Sequence, residues 1–159
     1  MKRSLIIFGI LTLLLGQLAA GNKQLKKFEK LMQALKGGEA VSVVLHYGDC
    51  QLEYEGEIRE ESVDAIGGMR IDVFEYFAPG SIRNEFAFVV TSTSKLIQNP
   101  LGEGYVYNYV KLKVDETGRV TVTAQYIDPL TFETLMDEKF HGQLNNGKND
   151  ACVYFYKLK

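Results

Sequence analysis

From Gly38 onward, hydrophobic and polar residues alternate with a period of two through most of the chain. This alternation, in segments rich in β-branched and aromatic residues, is typical of strands with one buried face. The predicted strands lie at 41–47, 71–77, 86–94, 105–114, 120–126 and 153–156. Turn residues separate them, and Asp115–Gly118 has the composition of a hairpin turn. Because short turns join successive strands, we expect these strands to pair antiparallel.

A helical pattern precedes the strands. Between Asn22 and Lys36 apolar residues recur every three or four positions, and lysines and glutamines occupy the opposite face. This spacing predicts an amphipathic helix of about four turns, ended by Gly37 and Gly38. The predicted fold class is α+β, with this N-terminal amphipathic helix followed by a curved antiparallel β-sheet or small barrel of about six to eight strands.

Residues 1–20 have the charge and hydropathy pattern of a leader rather than of a folded segment. Lys2 and Arg3 precede an apolar run over 5–15, and small residues follow the run. This order is typical of a secretory signal peptide. The alternative is a membrane anchor, but a spanning helix needs about 20 apolar residues and the run is shorter. We therefore predict a signal peptide, a secreted, extracellular protein and no membrane span in the mature chain.

Removal of the leader leaves 21–159, a length typical of a single domain. The whole chain of 159 residues is 46% hydrophobic, and its formal net charge is −2, which becomes −4 when Lys2 and Arg3 are removed. The hydrophobic fraction excludes intrinsic disorder. The acidic balance gives no electrostatic reason to expect a nucleic-acid partner.

The chain has two cysteines, Cys50 and Cys152. A secreted protein folds under oxidising conditions, and two cysteines allow only one intramolecular pairing. The alternative is two free thiols, but a reactive thiol needs a positive neighbour and Cys50 follows Asp49. We therefore predict a Cys50–Cys152 disulfide. It would close a loop of about 100 residues, which the chain-entropy treatment values at about 4–5 kcal/mol.

Residues that carry catalysis are few in this sequence. The two histidines are His46, in a predicted strand, and His141, beside a Gly/Asn loop, and nothing in the pattern brings them together. Zinc needs three or four nitrogen or sulfur ligands, more than two histidines supply once the cysteines are paired. Phosphate-loop and serine-hydrolase motifs are absent from the sequence. We therefore predict that the protein is not an enzyme and carries no cofactor or metal.

Three tyrosines, Tyr105, Tyr107 and Tyr109, alternate along one predicted strand and therefore share a face. Lys111 and Lys113 continue that face. Two interpretations stay open. In the one we favour, the tyrosines form a hydrophobic bed under the N-terminal helix. In the other they form an exposed face that binds protein or polysaccharide.

Several segments of the mature chain resemble the VirK family of small secreted proteins. They are the helical motif Phe28-x-x-Leu31-Met32-x-Ala34-Leu35-x-x-Gly38, the strand motif at 68–72, the paired motifs at 109–112 and 118–122, and the late aromatic strand that carries Cys152. The segment 80–104 looks more like secreted animal members than bacterial ones. The resemblance implies a secreted, β-rich VirK-like domain over 21–159 with no defined chemistry.

Two functions fit these features. We expect a secreted, non-catalytic protein of an extracellular matrix or secretion, such as mineralised matrix, mucus or venom, that binds extracellular protein or polysaccharide. The alternative is a carrier of a small ligand in an apolar cavity inside a β-barrel. The chain has 9 Phe and 9 Tyr, and this abundance argues for a filled interior and against the alternative.

Overall fold

The computed structural model describes residues 21–159, so the predicted signal peptide lies outside the described residues. The described chain forms two β-sheets and one short α-helix. In chain order the elements are β1 (Lys23–Leu25), α1 (Phe28–Lys36), β2 (Val41–His46), a 3₁₀ turn (Tyr47–Asp49), β3 (Gln51–Tyr54), β4 (Glu57–Ile58), β5 (Ile66–Arg70), β6 (Glu75–Phe77), β7 (Phe88–Gln98), β8 (Tyr105–Asp115), β9 (Arg119–Ile127), β10 (Thr134–Gln143) and β11 (Val153–Lys157).

The smaller sheet has four strands in the order β1-β11-β2-β5, and the larger has seven in the order β4-β3-β10-β9-β8-β7-β6. All neighbouring strands within the two sheets are antiparallel, as predicted. Neither sheet closes on itself over residues 21–159. The prediction of one curved sheet or barrel in an α+β fold therefore needs correction: the chain is mostly β, with two sheets.

The helix is shorter than its sequence pattern predicts. Residues 23–25 do not continue it, because they pair with β11 as the edge strand of the smaller sheet. The helix begins at Phe28, and Gly38 after its end adopts a positive φ of 70°. Its buried side chains are Phe28, Leu31, Met32, Ala34 and Leu35. They join the inward residues of both sheets in one apolar core.

Two strands differ from the sequence prediction. The segment 71–77 forms a strand only at its end, in β6, because pairing with β2 places the neighbouring strand earlier, in β5. The strand β10 has no counterpart among the predicted strands. It lies inside the larger sheet, between β9 and β3.

A disulfide joins the two sheets. Cys50 directly precedes β3 of the larger sheet, and Cys152 directly precedes β11 of the smaller sheet. The two cysteines are bonded, with their Cα atoms 5.4 Å apart, and both are buried. The predicted Cys50–Cys152 pairing is confirmed.

Candidate functional site: a cleft between the sheets

The two sheets separate at one end and enclose a cleft of about 650 Å³. One wall consists of inward side chains from β7, β8, β9 and β10, and the other is formed by β5 together with Leu45 of β2. Small-molecule sites in proteins commonly have volumes of about 300–1,000 Å³. The size of this cleft therefore suits a small organic ligand.

Strand register explains why the cleft opens where it does. Leu112, Val122 and Phe140 are neighbours across β8, β9 and β10, and all three are buried in the core. The next inward row, two residues further along each strand, contains the small Ala124 and the charged Glu138 as neighbours. The row of Leu112, Val122 and Phe140 fills the space between the sheets. Because Ala124 has only a methyl group, the next row leaves that space open.

Two glycines in β5 shape the opposite wall. A Cβ on Gly68 would lie 2.9 Å from the carbonyl oxygen of Val43, and a Cβ on Gly67 would lie 2.8 Å from the ring of Tyr47. Side chains at these positions would clash with the neighbouring strand and with that ring. The absence of side chains lets the Tyr47 ring lie against β5, where its centroid is also 4.7 Å from that of Phe140. Tyr47 thus contacts both walls of the cleft.

The cleft holds a group of interacting titratable side chains. Burial raises the pKa of the Glu138 carboxyl. Burial also raises the pKa of the Tyr47 phenol, and the nearby Tyr126 and Glu138 add to this increase. Glu138 forms no ion pair and accepts no side-chain hydrogen bond from any residue of 21–159. The site therefore has a partly desolvated carboxyl near two tyrosines, with no ion-pair or hydrogen-bond partner among the described residues.

Other charges lie at the mouth of the cleft. The Arg70 guanidinium is 3.8 Å from the carboxylate of Asp72, and both side chains are exposed. Lys95 lines the cleft on β7 and is also exposed. These charges face water, whereas Glu138 lies in the half-buried row behind them.

The three tyrosines predicted as a binding face lie outside the cleft. Tyr105, Tyr107 and Tyr109 are out of phase with Val110, Leu112 and Val114 of β8, which join the helix in the core, so they point to the outer face of the larger sheet. The favoured interpretation, in which they form a bed for the helix, is therefore wrong. Tyr105 is 65% exposed and the other two are half-buried. Their role as a binding face stays a prediction.

The histidines make separate contacts away from the cleft. The ring of His46 lies against that of Tyr154, with centroids 5.1 Å apart. In β10, His141 places Nε2 2.7 Å from a carboxylate oxygen of Glu53. No cluster of three or more His, Cys, Asp or Glu suited to a metal ion occurs in the described part of the chain. None of the helices within 21–159 is long and apolar enough to span a membrane.

Sequence reasoning missed Tyr47, Tyr126 and Glu138 as site residues. One signal was available for the last of these. In β10, residues 136, 138, 140 and 142 share the inward face. Glu138 therefore occupies an inward position between Met136 and Phe140. A charged residue at an inward strand position indicates either a buried ion pair or a site.

Comparison with known proteins gives a family and a fold. The family model described as "VirK protein" matches residues 24–132. A solved structure of a VirK family protein from Legionella pneumophila is similar to this chain, with 17% sequence identity and a TM-score of 0.62. That similarity covers 84% of this chain and 98% of the Legionella chain. A search of curated proteins finds no match. At this identity, the structural similarity concerns the fold alone.

Proposed function

The chain belongs to the VirK family, and we propose that it is a secreted, non-catalytic binding protein whose small organic ligand occupies the inter-sheet cleft. The observation that carries the proposal is the cleft itself, with a volume of about 650 Å³ and both apolar and polar side chains in its walls. Sites of this kind bury an apolar ligand body and use a few polar groups to fix its orientation. This ranks the carrier function above macromolecular binding, although the cleft lies between two sheets and not inside a barrel.

The chemistry of the lining supports binding rather than turnover. Among the described residues, the cleft walls contain no serine, cysteine or histidine, and thus lack the usual nucleophile and base pair. The carboxyl of Glu138 has no second carboxyl beside it in the half-buried row, since Asp72 lies at the mouth with Arg70. A single carboxyl between two phenols suits recognition of a ligand group.

Secretion is supported by two observations. Residues 1–20 have the pattern of a signal peptide, and a disulfide joins the two sheets. Disulfides persist mainly in oxidising compartments. We expect the mature protein to begin at Gly21 or Asn22. Expression of the full chain in a secretory host, followed by N-terminal sequencing of the protein in the medium, tests this, and retention of residues before Leu15 would contradict it.

The cleft is tested by filling it. Thr93→Tyr and Ala124→Leu each place a larger side chain in the wall, and Thr123→Tyr adds the same bulk as the first variant on the outer face of β9. With Nile red as a neutral apolar probe, we expect fluorescence enhancement by the native protein and by Thr123→Tyr. Either cleft variant should lose it. Enhancement that is equal in all four proteins, each with a checked melting temperature, would overturn the proposal.

A second candidate function is macromolecular binding at the outer tyrosine face. Tyr105 is 65% exposed, and on the neighbouring strand Leu96, paired with Tyr107, is 55% exposed. A row of partly exposed aromatic rings fits the apolar faces of sugars, with the phenol groups as hydrogen-bond partners. Sedimentation with insoluble chitin tests this function. Binding that is lost when all three tyrosines become serine, at unchanged melting temperature, would favour it over the cleft.

A further inference from the structure

Some charged side chains along the cleft have a partner of opposite charge, and Glu138 does not have one among residues 21–159. At the mouth, Arg70 and Asp72 face each other at 3.8 Å and are both exposed to water. Glu138 is half-buried, and its pKa is raised by burial. No cation of 21–159 lies within ion-pair distance of it. Removing a charge from water costs free energy unless the charge is paired, and among residues 21–159 Glu138 has no cationic partner.

The lysine that lines the cleft is too far along the sheet to neutralise this carboxylate. Lys95 is on β7 and Glu138 is on β10, and β8 and β9 lie between them. Three strand spacings amount to about 14 Å. The ammonium of Lys95 also lies on the exposed side of the cleft, where water screens it. Among the described residues that line the cleft, Glu138 is therefore the one charged group of the inner part, and its charge is negative.

The groups around Glu138 favour a cation as well. Tyr126 is diagonal to it across β9 and β10, and Tyr47 is close enough for Glu138 to raise its pKa. The faces of phenol rings carry partial negative charge and attract ammonium groups, most strongly in partly desolvated sites. Met136, the cross-strand neighbour of Tyr126, adds an apolar and polarisable surface for the rest of a ligand.

We propose that the ligand of this cleft is an organic cation, an amine with an apolar body, whose ammonium group is held by the Glu138 carboxylate between Tyr47 and Tyr126. The apolar body would lie against Val110, Ala124 and Met136 in the same wall. This inference rests on the proposed binding function of the cleft and adds the chemical class of its ligand.

Three probes of similar shape test the class of ligand. 4-Phenylbutylamine is protonated at neutral pH, 4-phenylbutanol is neutral, and 4-phenylbutanoate is an anion. Titration calorimetry at neutral pH should give the order amine, alcohol, carboxylate, with the amine bound about tenfold more tightly than the alcohol. Glu138→Gln should remove the preference for the amine. The matched control is Asp137→Asn, which removes a carboxylate from the exposed, opposite side of the same strand and should keep the preference.

The outcomes separate this inference from the proposed function. If the alcohol binds as tightly as the amine, or if Glu138→Gln keeps the preference for the amine, the proposal of a cationic ligand is wrong. The proposed binding function is still supported in that case if the cleft-filling variants lose the Nile red fluorescence enhancement. If Nile red binds but the amine does not bind at millimolar concentration, the proposal of a cationic ligand is also wrong. If cleft-filling variants affect neither Nile red nor the amine, the proposed function itself fails.

Discussion

The backbone of Gly142 in β10 lies directly against the sulfur of Cys152, so that a Cβ at position 142 would overlap Sγ of Cys152. The same Cβ would lie 3.4 Å from Sγ of Cys50. The inter-sheet disulfide therefore packs against β10 at Gly142. Glycine is required there because any side chain would overlap the sulfur of Cys152. Gly142 does not have a positive φ, so its requirement for glycine comes from close approach and not from backbone conformation.

The first prediction is that Gly142→Ala destabilises the oxidised protein by about 1–3 kcal/mol, since the added methyl group must displace a covalently fixed sulfur. The measurement is urea unfolding. Gly48→Ala is the matched control, because a Cβ there would meet its nearest atom at an ordinary 3.6 Å. The same Gly142→Ala change in a Cys50→Ala/Cys152→Ala background should cost much less. An equal cost in both backgrounds would show that the sulfur is not the reason for glycine.

The second prediction concerns the disulfide alone. Cys50→Ala combined with Cys152→Ala leaves no free thiol and opens a loop whose ends are 102 residues apart. We expect a loss of about 4–5 kcal/mol, because the unfolded chain regains its freedom, and a fall in melting temperature on the order of 10 °C. Reductant should lower the melting temperature of the native protein and leave the double variant unchanged. A reductant effect on both would point to a cause other than this bond.

Local alternation predicted several strands well and the sheet arrangement poorly. The hairpin of β8 and β9 was predictable, because both strands alternate clearly and Gly118 in the turn has a φ of 87°. The two-sheet arrangement depends on pairings such as Phe155 with Val43, more than a hundred residues apart. Alternation shows which face of a strand is buried, but it does not show which distant strand lies beside it.

The strand that sequence analysis missed is the one that carries the cleft carboxyl. β10 is rich in charged residues, and an inward glutamate interrupts its apolar alternation. Glu138 does not fit a core position because its row borders the cleft. Apolar alternation is expected to fail at a functional site, because a site requires residues that core packing alone would not select. The abundance of Phe and Tyr also misled, because residues such as Tyr105 lie on the outer face.

The third prediction concerns the turn between β8 and β9. Burial raises the pKa of the Asp115 carboxyl, but hydrogen bonds from the Thr117 hydroxyl and from Arg119 together outweigh burial, so its pKa is lowered. Asp115→Asn should cost about 1–2 kcal/mol at neutral pH, because charge-assisted hydrogen bonds are lost. The measurement is thermal unfolding as a function of pH.

The sign of this pH dependence is fixed by the lowered pKa. The carboxylate of Asp115 contributes its full stability above the unfolded value of about 3.9 and loses it as the pH falls through the folded value. The difference in melting temperature between native protein and Asp115→Asn should therefore disappear at acid pH. Asp128→Asn, in the turn before β10, is a comparison with a smaller expected effect: backbone hydrogen bonds from Thr131 and Leu130 also lower the pKa of Asp128, but its carboxylate accepts them without the arginine that contacts Asp115. A gap for Asp115→Asn that stays constant down to acid pH would contradict the assigned hydrogen bonds.

The last prediction is that Glu138→Gln stabilises the protein at neutral pH. Burial raises the pKa of Glu138, so the folded state holds the proton more tightly than the unfolded state does. As the pH rises from below the unfolded value of about 4.3 through the folded value, ionisation therefore costs the native protein stability. The variant has no such cost. We expect a gain of up to about 1 kcal/mol at neutral pH, limited by contact of the carboxyl with water, and no gain in acid.

Melting temperatures of the native protein, Glu138→Gln and Asp137→Asn across this pH range provide the measurement. Burial raises the pKa of the Tyr47 phenol further above this pH range, so the difference between native protein and Glu138→Gln reports the carboxyl. Asp137→Asn, on the exposed side of β10, should change little. A variant that gains stability and loses the amine preference would identify Glu138 as a residue kept for its ligand at a cost in stability. Loss of stability on Glu138→Gln at neutral pH would instead show that the carboxylate supports the fold.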